Sequence, residues 1–130
     1  MLSIGLTCLL FGAAGHIMSL MTSKLLVIIA TGDKDKVLAG LMYAKNALKH
    51  GWMESLKVVY FGPSEQLMVT DPDVASAAIE VASLSDSLAC KAISDREGIS
   101  DRVGGMGVRV EYVGSIISDL IKQGYAPMVW

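Results

Sequence analysis

Short apolar runs alternate with helical patterns along most of this chain, and this alternation restricts the fold more than any other feature. The first run, at 24–30, is continuously apolar after its lysine, which is typical of a strand covered by helices on both faces. Apolar residues at helical spacing follow from Asp33 to His50, where Gly51 can supply a left-handed stop. A second strand is predicted at 56–61.

The second half of the chain continues the alternation with shorter elements. Ser64 begins a short helix that reaches Met68, and Pro72 stands where a first helical residue is expected. The next predicted elements are a rather polar third strand at 84–89 and a helix at 91–97. A turn-rich stretch through Gly104, Gly105 and Gly107 then leads to a strand at 108–113. Gly114 and Ser115 open a helix with Ile116, Ile117, Leu120 and Ile121 on its inner face, and an edge strand follows at 126–130.

Strands that alternate with helices predict right-handed parallel crossovers in a single α/β domain at 24–130. We expect a mostly parallel five-stranded sheet with helices on both faces. Functional groups in such sheets gather beyond the carboxyl ends of the strands. The residues predicted at that edge are Thr31, Gly32, Gly62, Cys90, Gly114 and Ser115. His50 ends a helix and should lie at the opposite edge as a structural residue.

Composition excludes several function classes. Eleven basic and thirteen acidic residues give a net charge of −2 without a basic patch, which argues against direct nucleic-acid binding. The loop at 31–36 has one glycine where a dinucleotide site needs three. Two cysteines and two isolated histidines favour neither a disulfide framework nor a metal site, so we expect a reducing cytoplasmic setting, no metal and no cofactor.

Residues 1–23 form a lead without a charged side chain. Its length would suit a weak transmembrane span, but glycines and polar residues dilute it, and no Lys or Arg opens it as in a secretory signal. Three interpretations stay open: a start that truly lies at Met21, a docking or interface segment, or a weak membrane anchor. The domain pattern is complete without the lead, so we expect it to be dispensable for folding.

Cys90 is the strongest candidate for a reactive group. It falls between a predicted strand end and a helix start, where unpaired N–H groups and the helix dipole favour an anion. Lys91 adds a positive charge beside it, and the thiolate is the nucleophilic form of cysteine. The alternative is a small buried hydrophobic side chain, the usual role of a free cysteine.

Two stretches of the sequence resemble the DsrE/DsrF-like family, the DsrE/TusD type of sulfur-relay protein. They are 89–99, which reads ACKAISDREGI, and 113–125, which contains VGSII and LIKQGY. The resemblance extends over about 24–130 and implies a flavodoxin-like domain that forms homotrimers, dimers or hexamers. Several family members carry, after the third strand, a cysteine that accepts sulfur as a persulfide, and Cys90 matches that position.

Three functions are therefore compatible with the sequence. In the first, Cys90 carries sulfane sulfur and passes it to a thiol of a sulfur-carrier protein, which would make the chain a sulfurtransferase. In the second, Thr31, Gly32, Gly114 and Ser115 hold a small anion or nucleotide without chemistry. In the third, the chain is a structural subunit of an oligomer. A hydrophobic fraction of 52% with 18% charged residues favours self-association in each case, and no membrane partner is expected.

Overall fold

Every neighbouring pair of strands in the sheet is parallel, and the strand order is β4-β3-β2-β1-β5. The structure is a computed structural model that describes residues 23–130. Its strands are β1 (Lys24–Ile29), β2 (Ser55–Tyr60), β3 (Ser87–Cys90), β4 (Arg109–Glu111) and β5 (Ala126–Val129). Its helices are α1 (Lys34–His50), α2 (Ser64–Thr70), α3 (Pro72–Leu84), α4 (Lys91–Arg96), α5 (Ser100–Gly104) and α6 (Val113–Lys122). This is the flavodoxin-like α/β arrangement that the sequence predicts, with β5 at an edge as expected.

The first helix illustrates how local sequence sets the element boundaries. The side chain of Asp33 accepts a hydrogen bond from the Lys36 N–H at 3.1 Å, which satisfies one of the unpaired donors at the helix start. At the other end Gly51 adopts φ 65°, a left-handed conformation that favours glycine. Both ends of α1 were predicted from these residues, and both predictions are confirmed.

The predicted third strand begins too early. Residues 84–86 are not part of it: Leu84 ends α3, and the strand contains only the four buried residues of β3. Asp86 precedes β3 and makes two hydrogen bonds of 2.9 Å to the guanidinium of Arg109, the first residue of β4. The polar character of this segment is therefore explained by an ion pair beside the sheet and not by a polar strand.

Three further expectations for the second half were wrong. The stretch before β4 contains α5, whose five residues are too few to produce a clear helical period. The strand predicted at 108–113 is reduced to three residues, because Val113 already begins α6. Ile121 is 46% exposed and does not lie on the inner face of α6, whereas Leu120 is buried as predicted.

The two faces of the sheet are covered unequally. Alternate residues of β1 and β2 pack against α1, α2, α3 and α5 in the larger core cluster. The opposite face carries a smaller cluster formed by β-strand residues, α6 and Ile93 of α4. On this second face Val129 is 65% exposed, and Phe61, just beyond β2, is 42% exposed. The second face therefore leaves apolar surface uncovered in the described part of the chain.

The predictions made for the lead at 1–23 fall almost wholly outside the described residues. Only Ser23 of that segment is described, and its carbonyl accepts a hydrogen bond of 2.8 Å from the Glu54 N–H beside the start of β2. Within 23–130, no helix combines the length and the apolar character that crossing a membrane requires.

Candidate functional site

Cys90 lies at the junction between a strand and a helix. It is the last residue of β3 and the N-cap of α4, as the sequence predicts. Its side chain belongs to the smaller core cluster, together with Leu88 and Val113, and the residue is 6% exposed. Its carbonyl oxygen accepts a hydrogen bond of 2.9 Å from the Ser94 hydroxyl. The sulfur is thus held just below the surface in a mostly apolar environment.

The start of α6 lies beside Cys90. Glu111, the last residue of β4, is the register partner of Cys90, and Tyr112 then forms the N-cap of α6 without a side-chain capping bond. Gly114 and Ser115 are exposed residues in the first turn of this helix. Because a helix start carries unpaired N–H groups and a partial positive charge, this edge of the sheet favours an anion near the cysteine.

The positive charge of Lys91 is paired with Asp95 and is not directed at the Cys90 thiol alone. Its ammonium group lies 3.1 Å from a carboxylate oxygen of Asp95, one helical turn further along. The hydrogen bond to Asp95 is the main reason why the pKa of Lys91 is raised, and the nearby Tyr112 and Glu111 add smaller contributions. Lys91 therefore completes an ion pair on the surface of α4.

Thr31 and Gly32 lie further along the same sheet edge. They follow β1, which is two strands from β3, and neighbouring strands are about 4.8 Å apart, so roughly 10 Å separates the two loops. The Thr31 hydroxyl accepts a hydrogen bond of 3.0 Å from the Asp33 N–H. A Cβ atom on Gly32 would come within 3.0 Å of the Pro63 side chain. The fold therefore groups Cys90 with Gly114 and Ser115, and places Thr31 and Gly32 with the loop after β2.

Glu65 is the residue at this edge that sequence reasoning missed. It lies in the first turn of α2 and is completely buried. Its Oε2 atom accepts a bond of 3.3 Å from the Gly62 N–H, whereas Oε1 has no hydrogen-bond partner among the described residues. Burial raises the pKa of this carboxyl to about 7, although Gly62, Ser94 and Arg96 act in the opposite direction. The sequence signal that could have indicated Glu65 is its position, three residues after Gly62, which follows the second predicted strand.

A cleft of about 270 Å³ opens between the loop after β2 and helix α4. Its lining residues are Gly62, Pro63, Gln66, Ile93, Arg96 and Glu97. Gly62 and Arg96 also act on the Glu65 carboxyl, and Ile93 packs against the cluster that contains Cys90. The cleft is therefore lined by neighbours of both the buried carboxyl and the cysteine cluster, although neither Glu65 nor Cys90 lines it.

The described residues offer no metal site, and His50 lies away from the edge that contains Cys90 and Glu65. In residues 23–130 no group of three or more His, Cys, Asp or Glu side chains is arranged to hold a metal ion. His50 ends α1 at the opposite edge, where its ring stacks on Trp52 with centroids 5.4 Å apart. The predicted place of His50, at the sheet edge opposite Cys90, is therefore confirmed.

The parallel sheet and its helices define the chain as an α/β protein of flavodoxin-like architecture. Its fold is similar to that of a conserved protein of unknown function from Bacteroides thetaiotaomicron, with a TM-score of 0.78 and 24% sequence identity over 83% of this chain and 95% of that one. At this level of identity the likeness shows the fold alone. No family model matches the sequence, and no curated protein matches it.

Proposed function

We propose that the chain is a cytoplasmic sulfur-relay protein that carries sulfane sulfur as a persulfide on Cys90 and passes it to a thiol of a partner protein. The observation that carries the proposal is the position of Cys90, at the carboxyl end of a parallel strand and the N-cap of α4, beside the start of α6. The resemblance of 89–99 and 113–125 to the DsrE/DsrF-like family supports it, because a cysteine at this position accepts sulfur in several members.

The transfer consists of two substitutions at sulfur. The Cys90 thiolate attacks the outer sulfur of a donor such as thiosulfate, a new S–S bond forms, and sulfite leaves with the electron pair of the broken S–S bond. A thiolate of the partner protein then attacks the outer sulfur of the persulfide, and Cys90 leaves as a thiolate. Electrons and atoms balance without a metal, a cofactor or an external oxidant.

The burial of Cys90 places one requirement on this mechanism. Cys90 is only 6% exposed, so we expect that a donor or a partner thiol reaches it through local movement. The segment beside it contains Tyr112, which is 63% exposed, and the short strand β4 at the edge of the sheet. Edge segments with few buried contacts open at low free-energy cost, so we expect access to Cys90 through movement of this segment.

The test is the sulfur content of Cys90 after incubation with thiosulfate or polysulfide, measured by mass spectrometry of the peptide that contains it. We expect a mass increase of one sulfur atom on Cys90 in the native protein. Cys90→Ser should abolish loading and keep the fold, because serine is small and is favoured at a helix N-cap. Cys8→Ser is the matched control and should load normally.

Two other results would replace the proposal. If Cys90 resists both loading and alkylation until the protein unfolds, it is a packing residue and the chain is a structural subunit. If Cys90 stays unloaded and native mass spectrometry finds a bound small anion or nucleotide, the edge formed by Gly114 and Ser115 is a binding site without chemistry.

A further inference from the structure

An exposed aromatic cluster lies at the sheet edge opposite Cys90. Trp52 follows the glycine that ends α1, and its N–H donates a hydrogen bond of 3.0 Å to the Ala47 carbonyl. The centroid of its ring lies 5.4 Å from that of His50 and 6.2 Å from that of Tyr43. Trp52 is still 58% exposed, so the described residues leave the outer side of the cluster open to solvent.

A further exposed apolar side chain lies next to this cluster. Leu84, the last residue of α3, is 40% exposed. One turn earlier, the Glu80 carboxylate lies 3.1 Å from the ammonium group of Lys49, so the ends of α1 and α3 lie side by side. We use the name amino-edge surface, because it lies near the starts of the parallel strands, for the surface formed by Tyr43, His50, Trp52 and Leu84.

Residues 1–22 join the domain beside the amino-edge surface. The Ser23 carbonyl accepts hydrogen bonds from the N–H groups of Glu54 and Ser55, at 2.8 and 3.4 Å. The Ser23 hydroxyl donates to the Glu54 carboxylate at 2.6 Å. Trp52 is two residues from Glu54, a span of at most about 7 Å, and neighbouring strands are about 4.8 Å apart. Ser23 therefore lies within roughly 12 Å of Trp52 along this path.

The composition of residues 1–22 suits an apolar surface. Eleven of the 22 residues are Leu, Ile, Met or Phe, and none is Asp, Glu, Lys or Arg. Burial of such side chains against other apolar groups is favourable in water. A tethered segment is present at an effective concentration of about millimolar, which exceeds that of a second copy at micromolar concentration. The segment of the same chain is therefore favoured as the occupant.

The amino-edge surface is nearer to this segment than the uncovered second face of the sheet is. The exposed residues of that face, Phe61 and Val129, lie at the carboxyl ends of the strands. β1 has six residues, so about 20 Å separate Ser23 from that end of the sheet. Contact with the second face would draw the segment along the whole of β1, whereas the amino-edge surface begins beside Ser23.

We propose that residues 1–22 dock on the amino-edge surface of their own chain and cover Trp52. Trp52 and Leu84 belong to neither core cluster, so the segment caps a domain that is already packed. Loss of the segment should therefore expose Trp52 and leave the fold intact, in agreement with the expectation that the lead is dispensable for folding. The inference is independent of sulfur transfer.

The test measures acrylamide quenching of Trp52 fluorescence in full-length protein and in a protein that lacks residues 1–20. Both carry Trp130→Phe, because Trp52 and Trp130 are the two tryptophans of the chain. We expect the quenching constant to be roughly twofold or more lower in the full-length protein, and its emission to lie at shorter wavelength, since docking removes the indole ring from water.

Substitutions within the segment give a second measurement in the full-length chain. Leu9→Ser, Leu10→Ser and Phe11→Ser together remove a run of three large apolar side chains and should raise the quenching constant of Trp52. Circular dichroism checks that the shortened protein is folded. If it is not, the substituted full-length protein decides the outcome.

Trp130 provides the matched control. Its ring packs beside Gly40, away from the amino-edge surface. In proteins that carry Trp52→Phe, the quenching constant of Trp130 should be the same with and without residues 1–20. A change of equal size at both tryptophans would reflect a general loosening of the domain and would contradict local docking.

Protein concentration separates the segment from a second copy. Protection of Trp52 that persists from about 50 to 0.5 μM supports docking within one chain, because a tethered contact does not depend on concentration. Protection that disappears on dilution would assign the surface to a second copy and overturn the proposal. Equal quenching of Trp52 in the full-length, substituted and shortened proteins would also overturn it.

Discussion

Among single residues, Glu65 should dominate the pH dependence of stability near neutrality. Its native pKa of about 7 lies above the ordinary value of 4.5, because burial disfavours the charged form. The native state therefore retains a proton that the unfolded chain has already lost. The stabilisation is fully present below about pH 4.5 and is lost as the pH rises through about 7, with a total of roughly 3 kcal/mol.

Chemical denaturation at several pH values checks this expectation. The free energy of unfolding of the wild-type protein should fall between about pH 5 and pH 8, and Glu65→Gln should show a smaller fall. At the upper end the variant should be the more stable protein, since glutamine stays neutral. Parallel curves for the two proteins would mean that Glu65 does not hold its proton in the folded state.

Sequence reasoning finds Cys90 but not Glu65, and the reason is physical. The place of Cys90 follows from the order of strand and helix, which apolar patterning reveals. The burial of Glu65 depends on how α2 and α4 pack over the end of β2, and patterning along the chain does not contain that information. By contrast, Lys91 and Asp95 are four residues apart on the helix predicted at 91–97, so their ion pair is a local signal of the sequence.

At the scale of elements, the packing of α1 on β1 depends on a glycine. Gly40 lies in the interior of α1, and a Cβ atom there would come within 2.8 Å of both Ile29 and Trp130. Alanine normally stabilises a helix interior by up to about 1 kcal/mol relative to glycine. At Gly40 this gain should be outweighed by overpacking, which costs typically 1–3 kcal/mol.

The prediction is a net loss of about 1–2 kcal/mol of unfolding free energy for Gly40→Ala, measured by urea denaturation. Gly114→Ala is the matched control, because Gly114 is also helical and its added Cβ would meet nothing within 4 Å. We expect the control to be neutral or slightly stabilised. Equal stability of the two variants would contradict close packing of Gly40 against Ile29 and Trp130.

The sequence predicts helices and strands well where the apolar pattern extends over many residues. The run that forms β1 and the capped helix α1 gave boundaries close to those observed. The errors fall on α5, β3 and β4, which contain five, four and three residues. Elements of this size contain too few residues for a period to emerge, and tertiary contacts such as Asp86 with Arg109 decide where they begin.

At the scale of the whole molecule, residues 23–130 cover the two faces of the sheet unequally, which favours self-association through the second face. Ile28 and Val129 are register partners on neighbouring strands there, and Phe61 follows β2 on the same side. We expect full-length protein to sediment as a homo-oligomer at micromolar concentration, because an uncovered apolar sheet face gains free energy when a second copy covers it.

Val129→Lys should shift sedimentation towards the monomer, since it places a charge in the contact. Met42→Lys is the control: Met42 is 59% exposed on α1, which covers the other face, and this change should leave the oligomer intact. A monomeric wild-type protein, or equal effects of the two substitutions, would show that the second face is not the contact.

The pairing of β5 with β1 also determines when one edge of β1 becomes covered during translation. Beside β5, the Trp130 oxygen accepts hydrogen bonds from the Ala30 and Thr31 N–H groups, at 2.8 and 3.2 Å. Until β5 leaves the ribosome, a nascent chain exposes one hydrogen-bonding edge of β1 and the space beside Gly40 that the Trp130 ring fills. Such an edge can pair with other chains, so binding of holdase chaperones to the nascent chain should fall once β5 has emerged.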